Sequence, residues 1–183
     1  MAALGHSRYF AQGGDIGSGV SMWLARLYPD AVRALHLNFV SGSFQPPLTE
    51  ADRPLSPAGL AAWLLEKCFT WSDGSGGLIE KFDLDDLLTN VAVYWFSGNV
   101  AATLRIYRKN ARQPLRFGAG ERIAPPLSYA RFPKEILSPP REWVARVFNV
   151  TRWTEMPVGG HFAALEQPLA LANDIHEALS VFR

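Results

Sequence analysis

Gln12-Gly-Gly-Asp-Ile-Gly-Ser18 is the segment whose residue types and spacing say most about chemistry. Gly13, Asp15 and Gly17 stand in the three fixed places of the turn G-x-Nu-x-G, which lifts a nucleophile out of a strand and into a helix. Bulky neighbours would clash in so sharp a turn, hence the glycines. The helix N-terminus favours an ionised carboxylate, and an aspartate placed there suits attack on an sp³ carbon with formation of an ester. The same residues also read as a Gly-Gly-Asp turn that merely caps a helix. Gly159-Gly-His-Phe-Ala-Ala-Leu-Glu166 sets His161 in a glycine loop, and Phe132-Pro-Lys-Glu135 offers a carboxylate 26 residues before it. Nucleophile, acid and histidine thus follow in the chain order expected of such an elbow. A surface ion pair is the other reading of Glu135 and His161. Tyr107 in Leu104-Arg-Ile-Tyr107 offers a phenol to a pocket, or is a packed aromatic. His6, His36 and His176 read as structural.

Several elements must position these groups. Arg8–Gln12 is a short strand broken by Gly13-Gly14. From Ser18, the residues Val20, Trp23, Leu24 and Leu27 recur at helical spacing, with Pro29 beyond the end. Leu35, Leu37 and Phe39 alternate as in a second strand, so the opening is a βαβ unit and its sheet parallel. A Pro-, Gly- and Ser-rich loop covers residues 41–57, and residues 58–113 read as helical around a loop at 72–77, with Asp83 capping one helix. A weak strand interrupted by Pro125-Pro126 follows Ile123, and a helix follows Pro139-Pro140. A strand near Val147–Thr154 leads to the glycine loop, and a last helix opens at Pro168 with Leu171, Ile175, Leu179 and Phe182 on one face. A helical insert within a parallel α/β sheet is the layout of a lid over an active site. The expected divisions are 1–40, an elbow strand, helix and second strand; 41–113, loop and helical lid; and 114–183, a core region with the acid and the histidine.

The totals narrow the function class. The 183 residues are 48% hydrophobic and 19% charged, as in ordinary globular proteins. A formal net charge of +1 makes no case for nucleic acid or an anionic membrane. The single cysteine, Cys68, excludes a disulfide scaffold and reads as a packed thiol. No apolar run reaches transmembrane length and the first residues lack signal-peptide order, so the expected compartment is the cytoplasm.

Taken together, Gly13-Gly-Asp-Ile-Gly-Ser18, Asp85-Asp-Leu-Leu-Thr-Asn-Val91 with Tyr94-Trp95, Phe132-Pro-Lys-Glu135, and Arg152-Trp-Thr-Glu-Met156 followed by Gly159-Gly-His-Phe-Ala-Ala164 resemble microsomal-type epoxide hydrolases, including the juvenile-hormone hydrolases. Several segments agreeing in order are more specific than any one motif. The resemblance implies the C-terminal half of an α/β-hydrolase fold: a partial, mostly parallel sheet of about four strands with a helical lid insertion. It implies Asp15 as nucleophile, His161 as general base, Glu135 as the acid that orients it, Tyr107 as one of two lid tyrosines holding the epoxide oxygen, and the Ile16 backbone N–H as an oxyanion donor. It implies a small apolar epoxide as substrate and no metal or organic cofactor.

The sequence departs from the family's pattern at three places. Ile16 stands where the family usually has Trp, which changes pocket shape but keeps the backbone N–H. The second lid tyrosine has no counterpart between Phe39 and Pro57. The 183 residues hold no His-Gly-x-Pro segment, whose backbone N–H completes the family's oxyanion hole. A truncated, split or shortened hydrolase is therefore expected, in which Arg8–Gln12 is a sheet edge that self-association or a complementing N-terminal half would cover. A non-catalytic remnant is the rival from another class. A haloalkane dehalogenase shares the Asp and His, but Ile16 replaces the tryptophan it would need.

Overall fold

The computed structural model describes residues 1, 5–40, 56–98 and 100–182. The chain divides into two compact units, one made of Met1–Gly42 with Phe117–Arg183, the other of Ser43–Arg116. The loop expected at 41–57 lies, up to residue 55, outside the described residues.

The first unit is built on a four-stranded sheet in the order β1 (Tyr9–Gly13), β2 (Val32–Leu37), β3 (Ile123–Arg131) and β4 (Phe148–Glu155), with every neighbouring pair parallel. The fold is that of a partial α/β-hydrolase, as the sequence implies. Among the described residues β1 has a neighbour on one side only. Both faces of the sheet are covered. His36 on β2 bonds Asp174 on α8 (Pro168–Ser180), so α8 lies on the His36 face, while Leu35 and Leu37 point to the opposite face and are fully buried. Near-continuous burial along β2 is the mark of a parallel strand, and it replaces the half-buried alternation read from Leu35, Leu37 and Phe39.

Two elements differ from the sequence reading in instructive ways. Helix α1 (Asp15–Leu27) begins three residues before Ser18, and its apolar stripe faces outward: Val20, Trp23 and Leu27 are exposed. Its inner face is Ser18, Ser21, Met22 and Ala25, mostly small residues that let the helix approach the sheet closely. The Ser21 hydroxyl is satisfied by the Gln12 carbonyl at 3.1 Å. The strand β3, expected to be weak, is nine residues long and holds the fully buried Leu127 and Ala130. Its prolines fall where the pairing with β4 shifts register, between Ile123 and Pro126, and pairing resumes at Pro126 opposite Asn149. Past β3, the helix after Pro139-Pro140 is only the turn α6 (Arg141–Val144), and α7 (Ala163–Glu166) is another single turn.

The second unit is helical: α2 (Pro57–Trp71), α3 (Leu78–Lys81), α4 (Leu84–Phe96) and α5 (Val100–Arg112). Ser56 caps α2 by accepting from the Gly59 N–H, with Pro57 at the first position. Asp83 caps α4 by accepting from the N–H groups of Asp85 and Asp86, the role its type and position suggested. Leu60 and Cys68 of α2 and Leu87 and Val91 of α4 are the buried positions, and burial pushes the Cys68 thiol pKa up. Among the described residues no helix is long and apolar enough to cross a membrane.

Candidate active site

Because all four strands run the same way, the segments that follow β1, β3 and β4 emerge at one end of the sheet, where α/β proteins hold their ligands. Those segments carry Asp15, Glu135 and His161.

Asp15 has φ +44°, the only positive φ of a non-glycine residue among the described residues. Such backbone costs on the order of 1–3 kcal/mol and persists only where the surroundings fix it. Here they do. A Cβ on Gly13 would collide with the backbone carbonyl of Gly17 and come within 2.7 Å of the Ser18 nitrogen. A Cβ on Gly14 would sit 2.7 Å from the Asn38 side-chain oxygen. Gly17 itself faces open space, so Gly13 and Gly14 bear the close approaches of this turn. The Ser18 hydroxyl donates to the Asp15 carbonyl at 2.5 Å. The first bond of the new helix runs from the Ser18 N–H to the Gly14 carbonyl, which leaves the N–H of Ile16 without a partner inside the helix. The Asp15 side chain is 48% exposed, as a group that must meet a ligand needs to be.

Glu135 and His161 are brought together by an extension of the β3–β4 pairing. Past the strand ends, Lys134 and Gly160 still form a parallel bridge, with the Lys134 N–H donating to the Gly159 carbonyl at 3.1 Å. The next residue on each side is Glu135 and His161. The His161 Nδ1–H donates to Glu135 Oε1 at 2.7 Å, and both side chains are 2% exposed. The same oxygen accepts from the Ile136 N–H at 2.7 Å, while Oε2 is buried with no partner among the described residues. The other imidazole nitrogen, Nε2, lies 3.7 Å from Asp15 Oδ1. The ring meets Phe39 at 5.5 Å and Phe162 at 5.1 Å, both nearly perpendicular to it.

Electrostatics follow from this chain of carboxylate, imidazole and carboxylate. Burial alone would pull the imidazole pKa down, but hydrogen bonding and charge from Asp15 and Glu135 outweigh it and raise the pKa to about 9. The arrangement can hold a proton on Nε2 beside an ionised Asp15, and release it if the Asp15 charge is lost.

The three residues singled out in the sequence therefore converge. Tyr107 lies half-buried on α5, in the other unit. Sequence reasoning missed Asn38, which packs on Gly14 and accepts from the Gln12 amide at 3.2 Å, and Phe39. Their only signal was their position, just past the C-terminal end of β2.

Comparison with known proteins finds similarity in sequence and in fold to epoxide hydrolases. The chain is 32% identical to Epoxide hydrolase 1 of Oryctolagus cuniculus, over 96% of this chain and 51% of the relative. It is 31% identical to Juvenile hormone epoxide hydrolase 2 of Ctenocephalides felis, over 100% of this chain and 51% of that one. In sequence the chain is thus similar to epoxide hydrolases. Among solved structures, the juvenile hormone epoxide hydrolase of the silkworm Bombyx mori superposes with a TM-score of 0.84 at 26% identity, over 100% of this chain and 52% of that chain. The Aspergillus niger epoxide hydrolase gives 0.77 at 27%, over 97% and 53%. The chain thus spans about half the length of the relatives it matches. The alignment to the Ctenocephalides relative runs over 239 positions against 183 residues here, so 56 of its positions stand opposite gaps in this chain. No protein-family model matches the sequence.

Proposed function

We propose that the protein hydrolyses a small apolar epoxide to a vicinal diol through an ester on Asp15. The observation that carries this reading is the strained Asp15 at a strand-to-helix turn, 3.7 Å from a histidine that is itself bonded to a buried glutamate. An Asp15 oxygen attacks one epoxide carbon, the C–O bond breaks, and the departing oxygen takes a proton from a donor, the part given to Tyr107 by family resemblance. Esterification neutralises Asp15, so His161 loses one of the two charges that keep it protonated, gives up its Nε2 proton through solvent to the donor that protonated the leaving oxygen, and becomes a base. Water then gives its proton to Nε2 and attacks the ester carbonyl. The Ile16 N–H, at the helix start, faces the resulting oxyanion charge. Collapse of this intermediate expels the diol oxygen, which takes the proton back from His161. Glu135 holds the ring throughout and stabilises it whenever it is protonated.

Trapping tests this sequence of steps. In His161→Gln the first step survives and the second does not, so exposure to a simple aryl epoxide should leave a covalent adduct on the Asp15 peptide, read by mass spectrometry. The adduct should be absent in Asp15→Asn and should form much more slowly in Tyr107→Phe. A His161→Gln protein that gains no mass, or gains it elsewhere, rules the reading out.

A specific observation also favours a second role. The free edge of β1 and the exposed Val20, Trp23 and Leu27 of α1 suit a chain that pairs with a complementing hydrolase half.

A further inference from the structure

The loop that carries His161 is held by a carboxylate that the reaction scheme does not use. Glu166, at the end of α7, turns back so that its Oε2 accepts from the Gly160 N–H and its Oε1 from the Phe162 N–H, each at 3.0 Å. These are the N–H groups of the residues immediately before and after His161. One side chain therefore brackets the backbone from which the imidazole projects.

A helix cap explains only half of this. Phe162 is the N-cap of α7, and satisfying its N–H is ordinary work for an acidic side chain at a helix start. Gly160 lies two residues before that N-cap, and bonding it does nothing for α7. What the second oxygen fixes is the direction in which the His161 side chain leaves the loop. Ring contacts alone would not fix it. Glu135 sets the hydrogen-bond axis through Nδ1, the rings of Phe39 and Phe162 pack on the imidazole, and the Lys134–Gly160 bridge holds the backbone that enters the loop. The Glu166 carboxylate adds bonds to the backbone on both sides of His161 itself. Gly159 sharpens the need for a brace. It has φ +116°, and a Cβ there would stand 2.7 Å from the Phe132 ring, so the loop enters His161 through its most permissive residue.

We propose that Glu166 is a positioning residue for His161, holding Nε2 at the distance from Asp15 that ester hydrolysis requires. The proposal rests on the ester reading above, and deepens it: Glu166 should matter to ester breakdown and not to ester formation, because only breakdown uses His161 as a base. A misplacement of about 1 Å at a reacting group costs on the order of 10²-fold.

Two variants and two readouts test it. Glu166→Ala removes both acceptors; Glu166→Gln keeps the side-chain volume but turns one acceptor into a donor that faces an N–H. The first readout needs no substrate: the downfield Nδ1–H proton of the His161–Glu135 bond, followed by NMR for its exchange with water. A change of charge alone would leave that bond in place, whereas a loosened loop lets the proton exchange, so faster exchange is expected in both variants. The second readout is the decay of the Asp15 ester after a single exposure to an aryl epoxide. Decay should slow by on the order of 10²-fold in Glu166→Ala, with ester formation little changed. A wild-type exchange rate in both variants, or wild-type ester decay, overturns the proposal. Should Glu166→Ala fail to fold, the near-isosteric Glu166→Gln carries both readouts. If the wild-type protein forms no ester at all, the ester reading has failed, and the Nδ1–H exchange alone decides whether Glu166 positions His161.

Discussion

At the scale of single residues, the site turns on one histidine shared by two acids. His161 is raised to about 9 because Asp15 and Glu135 outweigh its burial. If Asp15 supplies part of that effect, Asp15→Asn, which removes the charge while keeping the shape, should lower the His161 pKa, as seen in an NMR titration of the imidazole. A titration identical to wild type would break the link between esterification and base formation. The sign for stability follows. A raised histidine pKa stabilises the fold fully below the unfolded value of about 6.5, and that stabilisation is lost as pH rises through about 9. Urea unfolding of the wild type should therefore weaken over that window more than in Asp15→Asn. Asp15, Glu135 and His161 were legible in the sequence because glycine spacing and chain order mark them. Glu166 stood in the same motif, yet its work could not be read there, because a side chain that bonds backbone N–H groups leaves no pattern of partner residue types. Asn38 was hidden for a related reason: it is chosen by what packs on Gly14, a contact across two strands.

At the scale of elements, periodicity located the helices but not always which face they bury. The stripe Val20, Trp23 and Leu27 has helical spacing, yet small residues on the opposite side of α1 made the better contact with the sheet. The prolines of β3 misled in the other direction, since a local register shift absorbs them. The histidine dismissed as structural holds an element in place. His36, fully buried on β2, bonds Asp174 of α8 at 3.0 Å, and Arg152 of β4 reaches the other oxygen of the same carboxylate. Burial would raise the Asp174 pKa, but the bonds from His36, Arg152 and Thr154 bring it down to about 2. One carboxylate thus ties α8 to two strands. Asp174→Ala leaves a buried imidazole nitrogen without its acceptor and Arg152 with only Glu177 of its two carboxylates, and should destabilise the fold by about 3 kcal/mol. Asp174→Asn keeps an acceptor and should lose less. Denaturant unfolding that ranks the two variants equally would show that α8 is held by packing around Leu171 and Ala178 instead.

At the scale of the whole molecule, the 183-residue polypeptide carries a convergent acid–histidine–acid site on a sheet with a free edge. It spans about half of each relative's length, and 56 positions of the Ctenocephalides relative have no counterpart within the aligned span. Two consequences bear on rate. The second oxyanion donor, which the family takes from a His-Gly-x-Pro segment, has no counterpart in these residues, and loss of one such donor typically costs about 10²–10³-fold. A counterpart of the second lid tyrosine that the resemblance implies is also missing between Phe39 and Pro57, so in the proposed reaction charge on an opening epoxide would meet fewer donors. A third consequence bears on stability: among the described residues one edge of β1 has no neighbouring strand, and Val20, Trp23 and Leu27 expose apolar surface beside it in the chain, against a net stability of only about 5–15 kcal/mol for a typical domain. The isolated polypeptide should therefore form the Asp15 ester slowly, turn it over weakly, and self-associate. Purifying it, measuring its mass in solution, and assaying diol formation from an aryl epoxide tests all three expectations together. Adding a complementing hydrolase half should raise the rate and suppress self-association, because one partner would cover the β1 edge and supply the missing N–H. Fast turnover by a monomer of the 183-residue chain would refute this account, and would mean that the Ile16 N–H and Tyr107 suffice for the developing charge.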